Sequence, residues 1–263
     1  MREKPGLDLI LQAEAGLMSL TGPEDGEPVK VGQAIGDLTA GMFAAVGILA
    51  RLHEAERTGR GGEFDVSLFD AVVTLLNEYP TQHDLTGEVP GTQGTTHQTL
   101  VPYQLFDTAD GQLVLGVPSD SRWDEFVDAV GCESVREYGT NAERTANRET
   151  VVDAIQDRLA EESTAYWTEV LTGANFPNGP LNDVAEVVDH PQAEARELFA
   201  RVDDRGTSFL LPNHPFHFPD HDDVGVRGPA PDLGEHTESV FADVAGDQTT
   251  LDEWREGGAF GGD

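Results

Sequence analysis

A nearly uninterrupted apolar segment, rich in Ala and Gly, runs through residues 38–52 and constrains the fold more than any other stretch. Asp37 stands directly before it, Arg57 lies near its end and Gly59 follows. Aspartate is a favoured N-cap, arginine suits a last helical turn, and glycine readily adopts the left-handed conformation that ends many helices. Because apolar side chains occur on almost every side, the sequence predicts a helix buried among neighbouring elements.

Acidic residues dominate the charge of the chain. There are 49 acidic and 16 basic residues, giving a formal net charge of −33, and the acids are spread along the whole length. This balance argues against binding to nucleic acids or anionic membranes, which requires basic patches. We interpret it as an adaptation to high salt, where screening weakens the repulsion. The alternative is an acidic protein of an ordinary cytoplasm.

The sequence predicts neither a secreted nor a membrane protein. Its first residues do not form a secretion signal, and the longest apolar run, 42–50, is too short to span a bilayer. A single cysteine, Cys132, excludes a disulfide framework, and we expect this thiol to be inert. We therefore expect a cytoplasmic protein.

Histidines and carboxylates cluster at residues 214–222, which include His214, His217 and His221. These are metal-ligand types, but two prolines stiffen the segment and no catalytic partner is evident. We interpret the segment as a surface loop and predict no metal site.

The remaining pattern predicts alternating helices and strands. Around the apolar helix we expect a buried strand at 64–68 and a helix at 70–79 that Pro80 ends. Residues 101–106 and 112–117 flank a turn, which indicates a β-hairpin. Helices are expected at 121–130, 149–161 and 164–171, with Ser121 and Thr164 as caps, and a solvated helix face at 136–148. The pattern further predicts a loop at 174–180, a short helical or linker segment at 183–188, a helix at 191–199, a strand at 206–212 and a loose tail at 246–263.

Several motifs together carry a family resemblance. Residues 36–41 read Gly-Asp-Leu-Thr-Ala-Gly, 57–61 read Arg-Thr-Gly-Arg-Gly, and 65–71 read Asp-Val-Ser-Leu-Phe-Asp-Ala. Supporting pieces are Ala-Gly-Leu-Met-Ser-Leu-Thr-Gly at 15–22 and Leu-Gly-Glu-His-Thr at 233–237. With these motifs the chain closely resembles the family III CoA-transferases, which include formyl-CoA transferase and carnitine CoA-transferase.

The resemblance implies covalent catalysis by Asp37. Its carboxylate would attack an acyl-CoA thioester and form an aspartyl acyl anhydride, which CoA then converts into an aspartyl-CoA thioester before a carboxylic acid acceptor takes the CoA. A helix N-terminus suits this role because it favours the ionised carboxylate and offers free N–H groups to an oxyanion. No permanently bound cofactor is implied; CoA and acyl-CoA are substrates, and the CoA-binding residues are left unassigned.

The resemblance also implies an α/β architecture and a homodimer of interlocked chains. We expect residues 1–95 to form part of a Rossmann-like large domain with the nucleophile, 96–195 a smaller α+β domain, 196–245 a return to the large domain, and 246–263 a flexible tail. In relatives a glycine-rich loop closes over the acyl group, which points to Gly91 and Gly94. The loop here is rich in Thr and Gln, and an interdomain linker is an equal alternative.

Two other functions remain open at this point. The first is a 2-methylacyl-CoA racemase of the same fold, with the aspartate as an acid–base group. The second is a non-catalytic remnant or partner subunit, since the chain is short for the family and the N-terminal part of its relatives has no counterpart in it. On that expectation a separate N-terminal fragment would complete the fold, and the chain alone would expose a large apolar surface.

Overall fold

The computed structural model describes residues 4–218, 220 and 225–259. The chain divides into two compact units, Met1–Leu181 and Asn182–Asp263. The class is mixed helix and sheet, as the sequence predicted. Each unit is described by itself.

The first unit opens with a helical segment, residues 4–86. Its five helices are α1 (Asp8–Glu14), α2 (Leu17–Leu20), α3 (Ile35–Thr58), α4 (Leu68–Thr74) and α5 (Tyr79–Thr86). Helix α3 is the apolar helix of the sequence analysis, and it contacts α4 and α1. Arg57 lies in its last turn, and Gly59 ends it with φ = 70°, as predicted.

Two predictions around α4 are wrong. Residues 64–68 form no strand: Phe64 is exposed, and Ser67 accepts a hydrogen bond from the Asp70 N–H, which caps α4. Helix α4 therefore begins and ends earlier than the apolar pattern indicated. Pro80 does not end a helix but occupies the first turn of α5, where a missing N–H costs nothing.

A three-stranded antiparallel sheet forms the centre of the second part of this unit. Strands β1 (Tyr103–Asp107) and β2 (Gln112–Gly116) make the predicted hairpin, with Leu105 opposite Val114. Strand β3 (Asn178–Pro180) pairs with the other side of β2. It lies where the sequence predicted a loop, because three residues containing Gly and Pro carry no alternating pattern.

Four helices accompany this sheet: α6 (Trp123–Val130), α7 (Asn141–Ala146), α8 (Arg148–Leu159) and α9 (Thr164–Gly173). Their positions agree with the predicted helices, but two caps differ. A short 3₁₀ turn at Asp120–Arg122 precedes α6, so Ser121 is not its cap. Ser163, rather than Thr164, caps α9 by accepting the Tyr166 N–H.

The sheet and these helices enclose a dense core, which we call the small-domain core. Its largest fully buried side chains include two tryptophans whose indole N–H groups donate to main-chain carbonyls. The core consists of Val101, Phe106, Leu113, Leu115, Val117, Trp123, Phe126, Val127, Val130, Cys132, Val135, Val151, Ile155, Leu159, Trp167, Leu171 and Phe176. Burial raises the pKa of the Cys132 thiol, which agrees with the inert cysteine that we predicted.

Residues 136–148 are not simply a solvated helix face. Arg144 on α7 is fully buried and stacks on the Trp123 ring at 4.4 Å. Its guanidinium donates to Asp120 Oδ1 at 2.8 Å and to the Val101 carbonyl at 2.6 Å. The pattern of alternating charges concealed this residue because burial of an arginine depends on tertiary partners.

The described residues of the second unit form four helices and one β-hairpin. The elements are α10 (Val184–Val188), α11 (Pro191–Ala195), β4 (Phe199–Asp204), β5 (Thr207–Pro212), α12 (Thr237–Ala245) and α13 (Gln248–Glu256). Strand β5 was predicted, whereas its partner β4 was not. Helix α13 lies within the stretch for which the sequence predicted a loose tail, and its Leu251 is buried.

Candidate active site at the start of helix α3

Asp37 is the third residue of α3 and not its N-cap. The cap position is taken by Ala34, whose side chain offers no hydrogen-bond acceptor. The sequence placed the helix start too late because Asp is so often a cap. At the third position the carboxylate still lies in the first turn, where the helix dipole favours negative charge.

The Asp37 carboxylate is exposed, and no side chain or main-chain group in the described part of the protein binds it. Two main-chain donors of the first turn bind carbonyls: Ile35 N–H donates to Gln33 O at 2.9 Å and Leu38 N–H to Ala34 O at 3.0 Å, whereas the Asp37 N–H makes no hydrogen bond to a described residue. The Gly36 N–H donates to the Asp8 carboxylate at 2.8 Å. Fewer free N–H groups are therefore available for an oxyanion than the sequence suggested.

Asp8 belongs to α1 and supplies the cap that Ala34 lacks. Its Oδ1 accepts from Gly36, and its Oδ2 accepts from Gln12 Nε2 at 2.7 Å. Gln12 is fully buried. Its Oε1 accepts the Val31 N–H at 2.9 Å, so the two side chains connect α1 to the segment that leads into α3.

Gly36 is held in a space without room for a side chain. A Cβ at this position would lie 2.9 Å from Val72 Cγ2 and 3.0 Å from Asp8 Oδ1. Glycine is required here by close approach rather than by its backbone angles. The first turn of α3 thus packs on both α1 and α4.

Sequence reasoning missed Asp8 and Gln12. They are four residues apart and lie on one face of α1, where such pairs meet. The signal was two hydrogen-bonding side chains in an otherwise apolar segment at residues 7–12.

The predicted substrate loop packs against a turn near the N-terminus. Gly94 N–H donates to Gly22 O at 2.9 Å, and Asp25 N–H donates to Thr92 O at 3.4 Å. Gly94 has φ = 60°, which glycine adopts without strain. No hydrogen bond between described residues joins Gly91 or Gly94 to Asp37, so the structure does not itself bring these predicted site residues together.

A cleft of about 380 Å³ borders this loop. Arg148 lines it and donates to the carbonyls of His97 and Gln98 at 3.1 and 3.0 Å. Glu24 and Glu88 also line it. The arginine therefore fixes the loop that follows Gly94.

The described residues contain no group of His, Cys, Asp or Glu side chains arranged to hold a metal ion. Of the predicted loop at 214–222, residues 219 and 221–222 lie outside the described chain. His236 stands at the N-cap position of α12, where its side chain makes no capping hydrogen bond.

The comparisons with known proteins agree with the motif evidence. The model of the family described as CoA-transferase family III matches residues 1–237. This chain belongs to the family III CoA-transferases. It is 38% identical, over 77% of its length, to the succinyl-CoA:mesaconate CoA-transferase of Haloarcula marismortui, and 31% identical, over 92%, to the acetyl-CoA:oxalate CoA-transferase of Acetobacter aceti.

A solved structure shows the same fold. The crystal structure of a CAIB/BAIF family protein from Brucella suis matches 92% of this chain with a TM-score of 0.76 and 28% identity, and the chain covers 64% of that protein. The chain spans 51% of the Haloarcula marismortui relative and 62% of the Acetobacter aceti relative. Those proteins therefore contain a large region without a counterpart in this chain.

Much of helix α3 is exposed, which contradicts the expectation of a buried helix. Its buried residues are Gly36 and Thr39, whereas Leu38, Met42, Val46 and Leu49 are 56–65% exposed. By length and composition α3 could cross a membrane, although core helices of soluble proteins pass the same test. The large exposed apolar surface expected for the chain alone is present in the structure.

Proposed function

We propose that this chain carries the nucleophile of a CoA-transferase, and that Asp37 is that nucleophile. The supporting observation is the unpartnered Asp37 carboxylate in the first turn of α3, within motifs that place the chain in the family. The substrates are an acyl-CoA donor and a carboxylic acid acceptor, because the relatives are named for transfers between such pairs.

In the proposed reaction the Asp37 carboxylate attacks the thioester carbonyl and expels CoA thiolate, giving a mixed anhydride. The thiolate attacks the aspartyl carbonyl of the anhydride, which releases the donor acid and leaves an aspartyl-CoA thioester. The acceptor carboxylate then attacks this thioester and again expels CoA thiolate. The thiolate attacks the acyl carbonyl of the second anhydride, which yields the new acyl-CoA and restores Asp37.

The exposed face of α3 supports a complementing partner. A contiguous apolar surface of this kind marks a site that other polypeptide covers. We propose that α3 is covered either by a fragment that supplies the region of the family fold that this chain does not span, or by a second copy of this chain in an interlocked dimer. On this proposal α3 is a core helix of the completed cytoplasmic enzyme and not a membrane span, and residues 1–95 and 196–245 contribute to its large domain around the small domain at 96–195.

The decisive experiment is to trap the intermediate on Asp37. The chain is incubated with succinyl-CoA and hydroxylamine, alone and with a polypeptide that supplies the remaining family region, and the modified residue is located by mass spectrometry. We expect a hydroxamate on Asp37 in the complemented sample and none in Asp37→Asn. Asp84→Asn, which removes an exposed carboxylate from α5, is the matched control and should react like the wild type.

Asp37→Asn should leave the melting temperature nearly unchanged because the Asp37 side chain is exposed and makes no hydrogen bond or ion pair with a described residue. An Asp37→Asn protein that keeps a tenth or more of the transfer activity would rule out the nucleophile role. Activity and tight CoA binding by the chain alone, measured by calorimetric titration, would instead show that no complementing region is needed.

A further inference from the structure

We propose that Asp8 and Gln12 are positioning residues that fix the first turn of α3 and keep the Asp37 carboxylate free to react. This inference rests on the proposed function, since it assigns the pair to the nucleophile. Asp8 does not touch the reacting atoms; it acts through the Gly36 N–H, one residue before Asp37.

The first argument is that α3 has no cap of its own. The first N–H groups of a helix lack intrahelical partners, and a side chain at the N-cap usually binds one of them. Ala34 cannot do so. The Asp8 carboxylate reaches the Gly36 N–H at 2.8 Å instead, so α1 provides the cap for α3. A hydrogen bond to a carboxylate is stronger than one between neutral groups, and the helix dipole adds to it.

The second argument is that Gln12 determines how the Asp8 carboxylate is oriented. Its Nε2 donates to Asp8 Oδ2 at 2.7 Å and more weakly to the Gln33 carbonyl at 3.4 Å, while its Oε1 accepts from Val31 at 2.9 Å. A fully buried amide with its donor and acceptor both engaged cannot rotate without losing hydrogen bonds. Gln12 therefore sets the angle from which Asp8 approaches α3.

The third argument concerns Asp37 itself. An acidic residue at the third helical position commonly turns back to bind the N-cap N–H in a capping box, as Glu143 and Glu186 do in this protein. Asp37 makes no such bond with the Ala34 N–H, so its carboxylate takes no part in capping its own helix. Because the Asp8 carboxylate binds the Gly36 N–H, the start of α3 is capped without the Asp37 side chain.

The test compares single substitutions with a paired exchange. Asp8→Asn keeps an oxygen that accepts from the Gly36 N–H, but its NH2 group then faces the NH2 group of Gln12. Rotation of the Gln12 amide does not remove the conflict, because its NH2 group would then face the Val31 N–H. Gln12→Leu removes the orienting amide. The double variant Asp8→Asn, Gln12→Glu restores complementarity, because the amide at position 8 then donates to the carboxylate at position 12, which still accepts from Val31. Asp84→Asn is again the control.

Two quantities are measured in the complemented protein: the rate of hydroxamate formation on Asp37, and amide hydrogen exchange at Gly36. Both single variants should lower the rate by about tenfold or more, with KM little changed, since small displacements of a reacting group have large kinetic effects. They should also speed exchange at Gly36. The double variant should recover both quantities, and exchange in the small-domain core should be the same in every variant, which shows that each one folds.

Single variants that react at the wild-type rate would overturn the proposal, as would unchanged exchange at Gly36. A loss that the double variant does not recover would show that Asp8 acts through its charge and not through positioning. If the wild type forms no adduct, the proposed function fails, and exchange at Gly36 still decides whether the pair fixes this turn.

Discussion

The two parts of the first unit are stabilised in different ways. The small-domain core encloses two tryptophans and many aliphatic side chains that are fully buried. The helical segment at 4–86 has a core cluster of only Leu11, Ala15 and Val72, while most of the apolar side chains on α3 face outward. The candidate nucleophile lies in the thinly packed helical segment.

This difference in packing indicates which contacts determine the local geometry of each part. In the small domain, burial of apolar area is sufficient to fix the helices on the sheet. At the start of α3, the hydrogen bonds that involve Asp8 and Gln12 supplement the close packing of Gly36 on Val72. A site of this kind keeps its local geometry even where no other polypeptide covers the neighbouring face of α3.

A change in salt concentration should have the largest effect on stability, and the effect should differ between the two parts. Repulsion among carboxylates extends over about 30 Å at 0.01 M salt and about 3 Å at 1 M. For a charge of −33 we expect the melting temperature to rise by roughly 10 °C or more between these limits, which corresponds to a few kcal/mol for a chain of this size. Thermal unfolding in a KCl series measures it.

In the same KCl series, protection from hydrogen exchange should increase mainly in the small domain. Screening weakens charge repulsion but does not cover the exposed apolar face of α3, so protection there should change little. Sucrose is the control, since it is excluded from the surface but screens no charge. A melting temperature that does not change with KCl would contradict the proposed adaptation to salt.

A pair of leucines tests the comparison directly. Leu159 on α8 is fully buried and Leu49 on α3 is 65% exposed. Leu159→Ala should lower the free energy of unfolding by about 2–5 kcal/mol through lost burial and a cavity. Leu49→Ala should change it by no more than about 0.5 kcal/mol. Urea unfolding followed by far-ultraviolet circular dichroism, which reports on the helices of both regions, provides both values.

Equal losses in the two variants of the chain alone would mean that α3 is packed in solution and that the contrast between the regions is wrong. If the complementing region covers α3 as proposed, its addition should increase the cost of Leu49→Ala and leave that of Leu159→Ala unchanged.

The smallest effect concerns Asp110, which joins the β1–β2 turn to α9. The Thr164 N–H, followed by the Thr164 hydroxyl, lowers the pKa of Asp110 below its ordinary value of 3.8. A carboxyl group whose pKa is depressed by folding stabilises the protein above its unfolded pKa, and this contribution is lost as the pH falls through the folded pKa. Asp110→Asn should therefore weaken the loss of stability below about pH 4.

Urea unfolding from neutral to acidic pH measures this slope, and Asp153→Asn, at an exposed position on α8, is the control. An acid dependence that is identical in Asp110→Asn and the wild type would show that the hydrogen bond to Thr164 contributes nothing to stability.

The sequence by itself determined the family, the mixed class of the fold, the apolar helix with its glycine end, and the β1–β2 hairpin. These depend on local patterns: a run of helix formers, a glycine with positive φ, and two alternating segments around a turn. The motif around Asp37 also singled out the candidate nucleophile, because such motifs are contiguous in the chain.

The tertiary structure decided what depends on residues distant in sequence. It placed Asp37 inside α3 rather than at its cap, because Asp8, 28 residues away from Gly36, occupies the cap. It buried Arg144 against Trp123 and added β3 to the sheet. It also left α3 exposed, although the sequence predicted a buried helix. Apolar composition gives the tendency of a helix to be covered, but whether it is covered depends on which other polypeptide is present.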